Sequence, residues 1–271
     1  MIRDITIGQY YPADSAIHRL DPRLKIIGVL VYIISLFCFS SLCGYLVAAT
    51  FFGVVLWLSK VPFRFVIRGL KPILCLLIFT AALNLLWTPG HTIVKLWVFS
   101  LTWEGIHKCI FMVLRLTFLI IGSSLLTLTT TPNQLTDAIE NLLGPFQRFK
   151  LPVHEVAMMM SIALRFIPIL LEETDKIMKA QMSRGADFES GNLLQRMKNM
   201  LPLLVPLFAS AARRANELAY AMDARCYHGG QGRTKMKPLK YHARDWKGYG
   251  ALTVYLVALI LVLKISAPLA I

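Results

Sequence analysis

Two kinds of segment alternate along this chain. Uncharged apolar runs cover Ile26 to Leu42, Leu42 to Ser59 and Ile73 to Trp87, Cys109 to Thr131 carries only Arg115, and Tyr249 to Leu263 forms a fifth run. A helix crossing about 30 Å of hydrocarbon needs roughly 20 residues, and about 17 suffice. The third and fifth runs are short and draw on their polar flanks. The pattern predicts an all-α membrane protein with about five transmembrane helices. It is organised as an N-terminal tail and four-span block over 1–131, long amphipathic helices over 132–248, and a C-terminal transmembrane helix over 249–271. The connection from Thr88 to Lys108 carries Trp97, Phe99 and Trp103 and is expected to lie along the membrane interface, where indole rings are favoured.

The middle block reads as three helices. Thr131 is an N-cap, Pro132 fits the first turn and Gln134 closes a capping box, so a helix is expected over Asn133 to about Leu143, stopped by Gly144-Pro145. A second start at Leu151-Pro152 leads a long helix through Val156, Met159, Ile162, Phe166, Ile169, Leu170 and Ile177. Apolar residues recur there at three and four, and Glu155, Arg165, Glu172, Glu173, Asp175 and Lys176 fill the other face. Gly185 suits a left-handed turn that ends it. A third helix is expected from about Leu193 to Arg225, bent at Pro202 and Pro206. Val156–Leu164 and Met200–Ala212 are apolar enough to touch or re-enter lipid, though too short and too flanked by charge to span.

Composition sharpens the membrane reading. Of 271 residues, 56% are hydrophobic and 16% charged, against about 25% charged in ordinary soluble domains; mean hydropathy is +0.59. No secretory signal is expected, because about two dozen polar and mixed residues precede the first apolar run without a small-residue cleavage site. Lys and Arg in the connections set orientation. Arg3, Arg19, Arg23 and Lys25 precede the first run, and Lys60, Arg64, Arg68 and Lys71 lie between the second and third. The opposite side has only Lys95 and Lys108. The N-terminus and the 132–248 block are therefore expected in the cytoplasm. The net charge of +14 is mostly topology plus attraction to anionic membrane lipids, and no nucleic-acid module is visible. Cys38, Cys43, Cys75, Cys109 and Cys226 lie apart and read as small buried hydrophobes.

Reactive chemistry is sparse. His154-Glu155-Val156-Ala157-Met158 begins like a zinc-protease helix but has Met where a second histidine must sit. The other histidines lack ligand spacing, and no phosphate loop is present, so no cofactor, metal or nucleotide site is expected. Arg115 is the one ionisable group well inside a span. Such a residue usually faces the protein interior, either as a structural anchor on carbonyls or a carboxylate, or along a substrate or proton path.

One pattern stands out. The second long helix ends Ala180-Gln181-Met182-Ser183-Arg184-Gly185, and the third ends Ala221-Met222-Asp223-Ala224-Arg225-Cys226. Each finishes on an arginine in a small-residue setting. Basic residues favour helix C-termini through the backbone dipole by about 0.3–1 kcal/mol, which accounts for either arginine alone. The repetition points instead to two equivalent receptors on a dimeric partner.

These residues, with His18-Arg19-Leu20-Asp21-Pro22-Arg23-Leu24-Lys25, Leu164-Arg165-Phe166-Ile167-Pro168, Glu172-Glu173 and the Pro202 to Pro206 stretch, resemble the transmembrane T component of energy-coupling-factor (ECF) transporters, the EcfT/CbiQ-like family. The resemblance covers nearly the whole chain. It implies a coupling subunit with no nucleotide site of its own. Two ABC ATPase subunits would dock on the amphipathic helices through Arg184 and Arg225, set among Ser183, Gly185, Ala224 and Cys226. A substrate-binding S component would pack against the same helices and the spans, and ATP-driven motion would topple it to release a vitamin inside a prokaryotic cell. The family pattern at the helix ends is Ala-Arg-Gly or close to it. Ser183 and Cys226 depart from it, and cysteine enters a left-handed turn less readily than glycine.

Three other readings stay open. One is the T component of a dedicated cobalt or nickel importer. A second is a membrane-embedded, lipid-acting enzyme using carboxylates such as Asp137, Glu140 and Glu155. The third is a self-contained permease in which Arg115 would be the first residue to test.

Overall fold

The computed structural model describes residues 10–39, 41–87, 92–96, 99–149, 152–188, 192–229, 235–236 and 238–266. The chain forms two compact units by its internal contacts. One comprises the described residues up to Ala138 and from Leu239 onward; the other comprises those from Ile139 to Pro238.

Among the described residues, the first unit holds five long, largely apolar helices and one short one: α1 (Pro22–Cys38), α2 (Leu42–Ser59), the six-residue α3 (Phe63–Arg68), α4 (Leu74–Trp87), α5 (Trp103–Thr129) and α10 (Ala243–Ser266), together with most of α6 (Pro132–Leu143). Its core is aromatic and aliphatic. Tyr32 and Leu36 of α1, Tyr45 and Phe52 of α2, Leu125 of α5 and Tyr255 of α10 are all buried together. Gly122 lets Tyr32 lie against α5, since a Cβ there would sit 2.9 Å from the Tyr32 ring. Small residues of this kind allow close helix approach where no hydrophobic effect drives association. The outer surface is equally apolar, with Ile34, Trp57, Phe79 and Val254 exposed, as a lipid-facing surface requires.

Five described helices are long and apolar enough to cross a membrane: Leu42–Ser59, Phe63–Leu85, Gly105–Thr129, Val153–Ser183 and Ala243–Lys264. The chain is a multi-pass, all-α membrane protein. α1, with 17 residues, sits at the lower limit of a span. The helix from Val153 to Ser183 includes the ambiguous Val156–Leu164 stretch.

Several expectations are corrected. The connection before α5 is not wholly irregular: Thr92–Leu96 (β1) and Phe99–Thr102 (β2) pair antiparallel, in keeping with the β-branched run Thr92-Ile93-Val94. Trp97 lies outside the described residues. Arg115 is less isolated than its sequence setting implies. Its Nε donates to the Tyr45 hydroxyl (3.2 Å), an Nη to the Phe39 carbonyl (3.2 Å), and its plane lies over Phe37. It thus ties α5 to the α1–α2 connection. The cysteines are free, but Cys38, Cys43, Cys75 and Cys226 are exposed and Cys109 half-buried. Cys38, Cys43 and Cys75 lie in or beside the apolar helices, where a lipid-facing thiol needs no protein core around it, and Cys226 lies in the turn that ends the helix Leu201–Asp223.

Candidate functional site: two arginine-tipped helices

The second unit is built on α7 (Val153–Ser183), α8 (Leu193–Asn199) and α9 (Leu201–Asp223). Ahead of it, the expected capping box opens α6: the Thr131 N–H donates to Gln134 Oε1 (3.2 Å) and the Gln134 N–H to Thr131 Oγ1 (3.4 Å). α6 ends at Leu143, as expected, and Gly144–Phe149 follows as a 3₁₀ turn. The single third helix expected from Leu193 is in fact two. It breaks at Met200, and α9 restarts with Pro202 in its first turn, where the missing N–H costs no helical hydrogen bond. Pro168 and Pro206 stay inside α7 and α9.

α9 runs back along α7. Glu173 accepts from the Arg214 guanidinium (2.6 Å) and the Ser210 hydroxyl (3.2 Å). Towards the other end, Met158 and Ile162 of α7 share an open cleft of about 640 Å³ with Leu218, Met222 and Arg225. The two C-termini therefore lie at opposite ends of an antiparallel pair.

Those ends are built alike. At the first, the Ala186 N–H donates to the Gln181 carbonyl (3.0 Å), the Gly185 N–H to that of Met182 (3.0 Å), and Gly185 has φ +85°. At the second, the Tyr227 N–H donates to the Met222 carbonyl (3.1 Å), the Cys226 N–H to that of Asp223 (2.9 Å), and Cys226 has φ +55°. Both are the six-to-one, five-to-two Schellman arrangement. Arg184 and Arg225 each occupy its final helix-flanking position, and both are exposed. Ser183 turns its hydroxyl onto the Lys179 carbonyl (3.0 Å), and the Ala224 N–H bonds the Tyr220 carbonyl (2.9 Å), so neither neighbour adds bulk around an arginine. Cysteine thus reaches the left-handed conformation after all, held by the two hydrogen bonds that close the turn.

The linkage between the helices was missed in the sequence, although a signal was present. Glu173 and Arg214 are 41 residues apart, the same offset as Arg184 and Arg225. Each arginine consequently lies eleven residues beyond its helix's member of the ion pair. That gives two arms of about 16 Å at 1.5 Å per residue, with tips about 33 Å apart measured along the axes.

The remaining candidates fall elsewhere. Glu140, considered as a catalytic carboxylate, accepts from Lys235 Nζ (2.6 Å) and pairs with His154 Nδ1 (2.8 Å). Partial burial opposes ionisation of Glu140, but these two partners hold its carboxyl below the usual carboxylate range. His154, from the incomplete zinc-protease pattern, is therefore bound to a carboxylate. Among the described residues no group of three or more His, Cys, Asp or Glu is placed to hold a metal ion.

Comparison with known proteins agrees with this architecture. Residues 13–236 match the family described as CbiQ, cobalt transport protein. The chain is 57% identical over 248 residues to the energy-coupling factor transporter transmembrane protein EcfT of Clostridium kluyveri, covering 91% of this chain and 92% of that one. It is 53% identical to the protein of the same name from Ruminiclostridium cellulolyticum (96% and 98% covered) and 48% identical to that of Bacillus subtilis (97% and 100% covered). The expected resemblance holds over nearly the full length, and the chain belongs to the CbiQ cobalt transport protein family, with transmembrane proteins of energy-coupling factor transporters among its relatives.

Proposed function

We propose that this chain is the coupling subunit of an ECF-type importer in a prokaryotic plasma membrane, with its N-terminus and its 139–238 unit in the cytoplasm. Two ABC ATPases dock on α7 and α9, with Arg184 seated in one and Arg225 in the other. A separate substrate-binding S component rests on the spans and the exposed apolar residues of the same helices. Opening and closing of the ATPase dimer moves the arginine-tipped pair, and that motion releases a vitamin from the S component. The chain itself performs no catalysis.

The observation that carries this reading is the identical termination of two exposed arginines at opposite ends of one antiparallel pair. A single cationic tip is an ordinary consequence of the helix dipole. Two tips in the same turn, equally far from a shared ion pair, fit a partner presenting the same acidic groove twice. α7 is long enough to span, but Glu155, Arg165 and the cluster Glu172, Glu173, Asp175 and Lys176 favour a position at the inner surface. The names of the relatives support the transporter assignment, and the family's description as a cobalt transport protein keeps a dedicated cobalt or nickel system as the second reading of the cargo.

The test is replacement of both arginines, Arg184→Glu with Arg225→Glu, followed by recovery of ATPases with the tagged chain and by uptake. Loss of both is expected, with each single change milder. Wild-type recovery and uptake in the double variant would defeat the assigned roles.

A further inference from the structure

The His18–Lys25 segment carries part of the family resemblance and is not among the residues proposed to dock the ATPases. In the structure it forms a buried polar clasp within the first unit. Asp21 caps α1, accepting from the Arg23 N–H (2.8 Å). The Asp21 N–H in turn donates to Asp245 Oδ1 (2.9 Å), while Asp245 Oδ2 accepts from the His242 N–H (2.7 Å) at the start of α10. One carboxylate, only 1% exposed, therefore joins the beginnings of α1 and α10. Two of the segment's cations grip main-chain carbonyls, and Arg23 also pairs with the Asp21 carboxylate (3.7 Å). Lys25 Nζ donates to Thr129 O (2.9 Å) and His18 O (3.2 Å), and Arg23 Nη2 donates to Leu239 O (2.7 Å) and stacks on Tyr241.

The identity of those carbonyls matters. Thr129 is the last residue of α5, just before α6 carries the chain into the second unit, and Leu239 is the first residue after the chain returns. The Tyr11 N–H also donates to Leu128 O (2.9 Å) beside the first grip. Among the described residues, the end of α5 that leads through α6 to one crossing, and the first residue after the other crossing, are thus both held by the first turn of α1. Buried charges are a poor device for stability alone, since apolar residues of similar volume often serve as well or better. Gripping backbone at the end of α5 and at the returning Leu239 makes the path stiff where a slack connection would absorb movement.

We propose that Arg23 and Lys25 are positioning residues for coupling: they fix the end of α5, from which α6 leaves, and the returning chain at Leu239 to the start of α1, so that displacement of the 139–238 unit reaches the spans instead of being lost in the connections. This rests on the coupling-subunit reading.

The experiment reconstitutes the full complex with Arg23→Ala or Lys25→Met and measures ATPase recovery, ATP hydrolysis and uptake per ATP hydrolysed. The expected result is normal recovery and hydrolysis, with uptake per ATP down about tenfold, inside the range that substitutions along a coupling path reach. Arg23→Lys and Lys25→Arg, which keep a cation, should recover part of the ratio. Arg19→Ala should leave it unchanged, because Arg19 pairs with Asp14 at the exposed surface. An unaltered ratio in both neutral variants would overturn the proposal. So would a loss of uptake matched by an equal loss of assembled complex in the neutral and conservative variants alike, since that is a folding defect. If the wild-type complex recovers no ATPases, the coupling reading itself falls; if it recovers them and the ratio stays constant, only the clasp proposal does.

Discussion

Gly185 and Cys226 occupy the same position of the same helix-ending turn, with φ of +85° and +55°. A residue with a Cβ gives up roughly 1–2 kcal/mol in the left-handed region relative to ordinary helical backbone, whereas glycine enters it freely. The second arginine is therefore held in place against a small local strain that the first avoids. Cys226→Gly should raise stability by about 1 kcal/mol, and Gly185→Ala should lower it by a similar amount. Thermal unfolding of the purified chain in detergent checks both. A Cys226→Gly variant that melts earlier than wild type would contradict the geometry.

The ion pair between Glu173 and Arg214 fixes how α9 lies on α7. Glu173→Arg and Arg214→Glu, made singly, should each lower the unfolding midpoint by placing like charges together. The two combined should restore most of the loss, because the pair is simply reversed. Rising salt should shrink all three differences, as expected for a contact that water reaches.

Glu140 gives a pH signature. Its folded value is depressed by Lys235 and His154, so its contribution is fully present above the unfolded carboxylate value of about 4.3. It is lost as pH falls from there through the lower folded value. The wild type should therefore lose its stability advantage over Glu140→Gln only below about pH 4. Melting both proteins from pH 7 down to pH 3 reads the difference directly, and an advantage that vanished near neutrality would implicate another group.

Arg115 separates an anchor from a transport path. Because it bonds Phe39 O and Tyr45 Oη, Arg115→Leu should destabilise the α1–α2 connection and reduce the yield of folded protein. Uptake per folded complex should remain near wild type. A variant that folded normally yet lost uptake would revive the permease reading.

Much of this was legible in the chain. Apolar runs located four of the five described membrane-length helices, because lipid imposes length and composition directly; Val153–Ser183 was read as an amphipathic helix, and the run from Ile26 became the 17-residue α1. The capping box at Thr131 was legible because it depends on three local residues. The break before Pro202 was misread as a bend, since whether a proline kinks a helix or restarts it depends on the neighbouring backbone. α10 begins at Ala243, not at the first apolar residue, Tyr249, because Asp245 is consumed by contacts with α1 that lie more than 200 residues away in sequence. The same distance hid the Arg23 grip on Leu239. Within the candidate site the arginines were visible as a repeated word. The ion pair between their helices was not, although its 41-residue offset repeats theirs.

The equality of the two arms constrains what change this stretch can absorb. One residue inserted between Glu173 and Arg184, or between Arg214 and Arg225, would swing that tip about 100° around its axis and push it out by about 1.5 Å. Substitutions on the outward faces cost neither reach nor heading. Relatives of this chain should therefore vary freely in the letters of these eleven-residue stretches and hardly at all in their number.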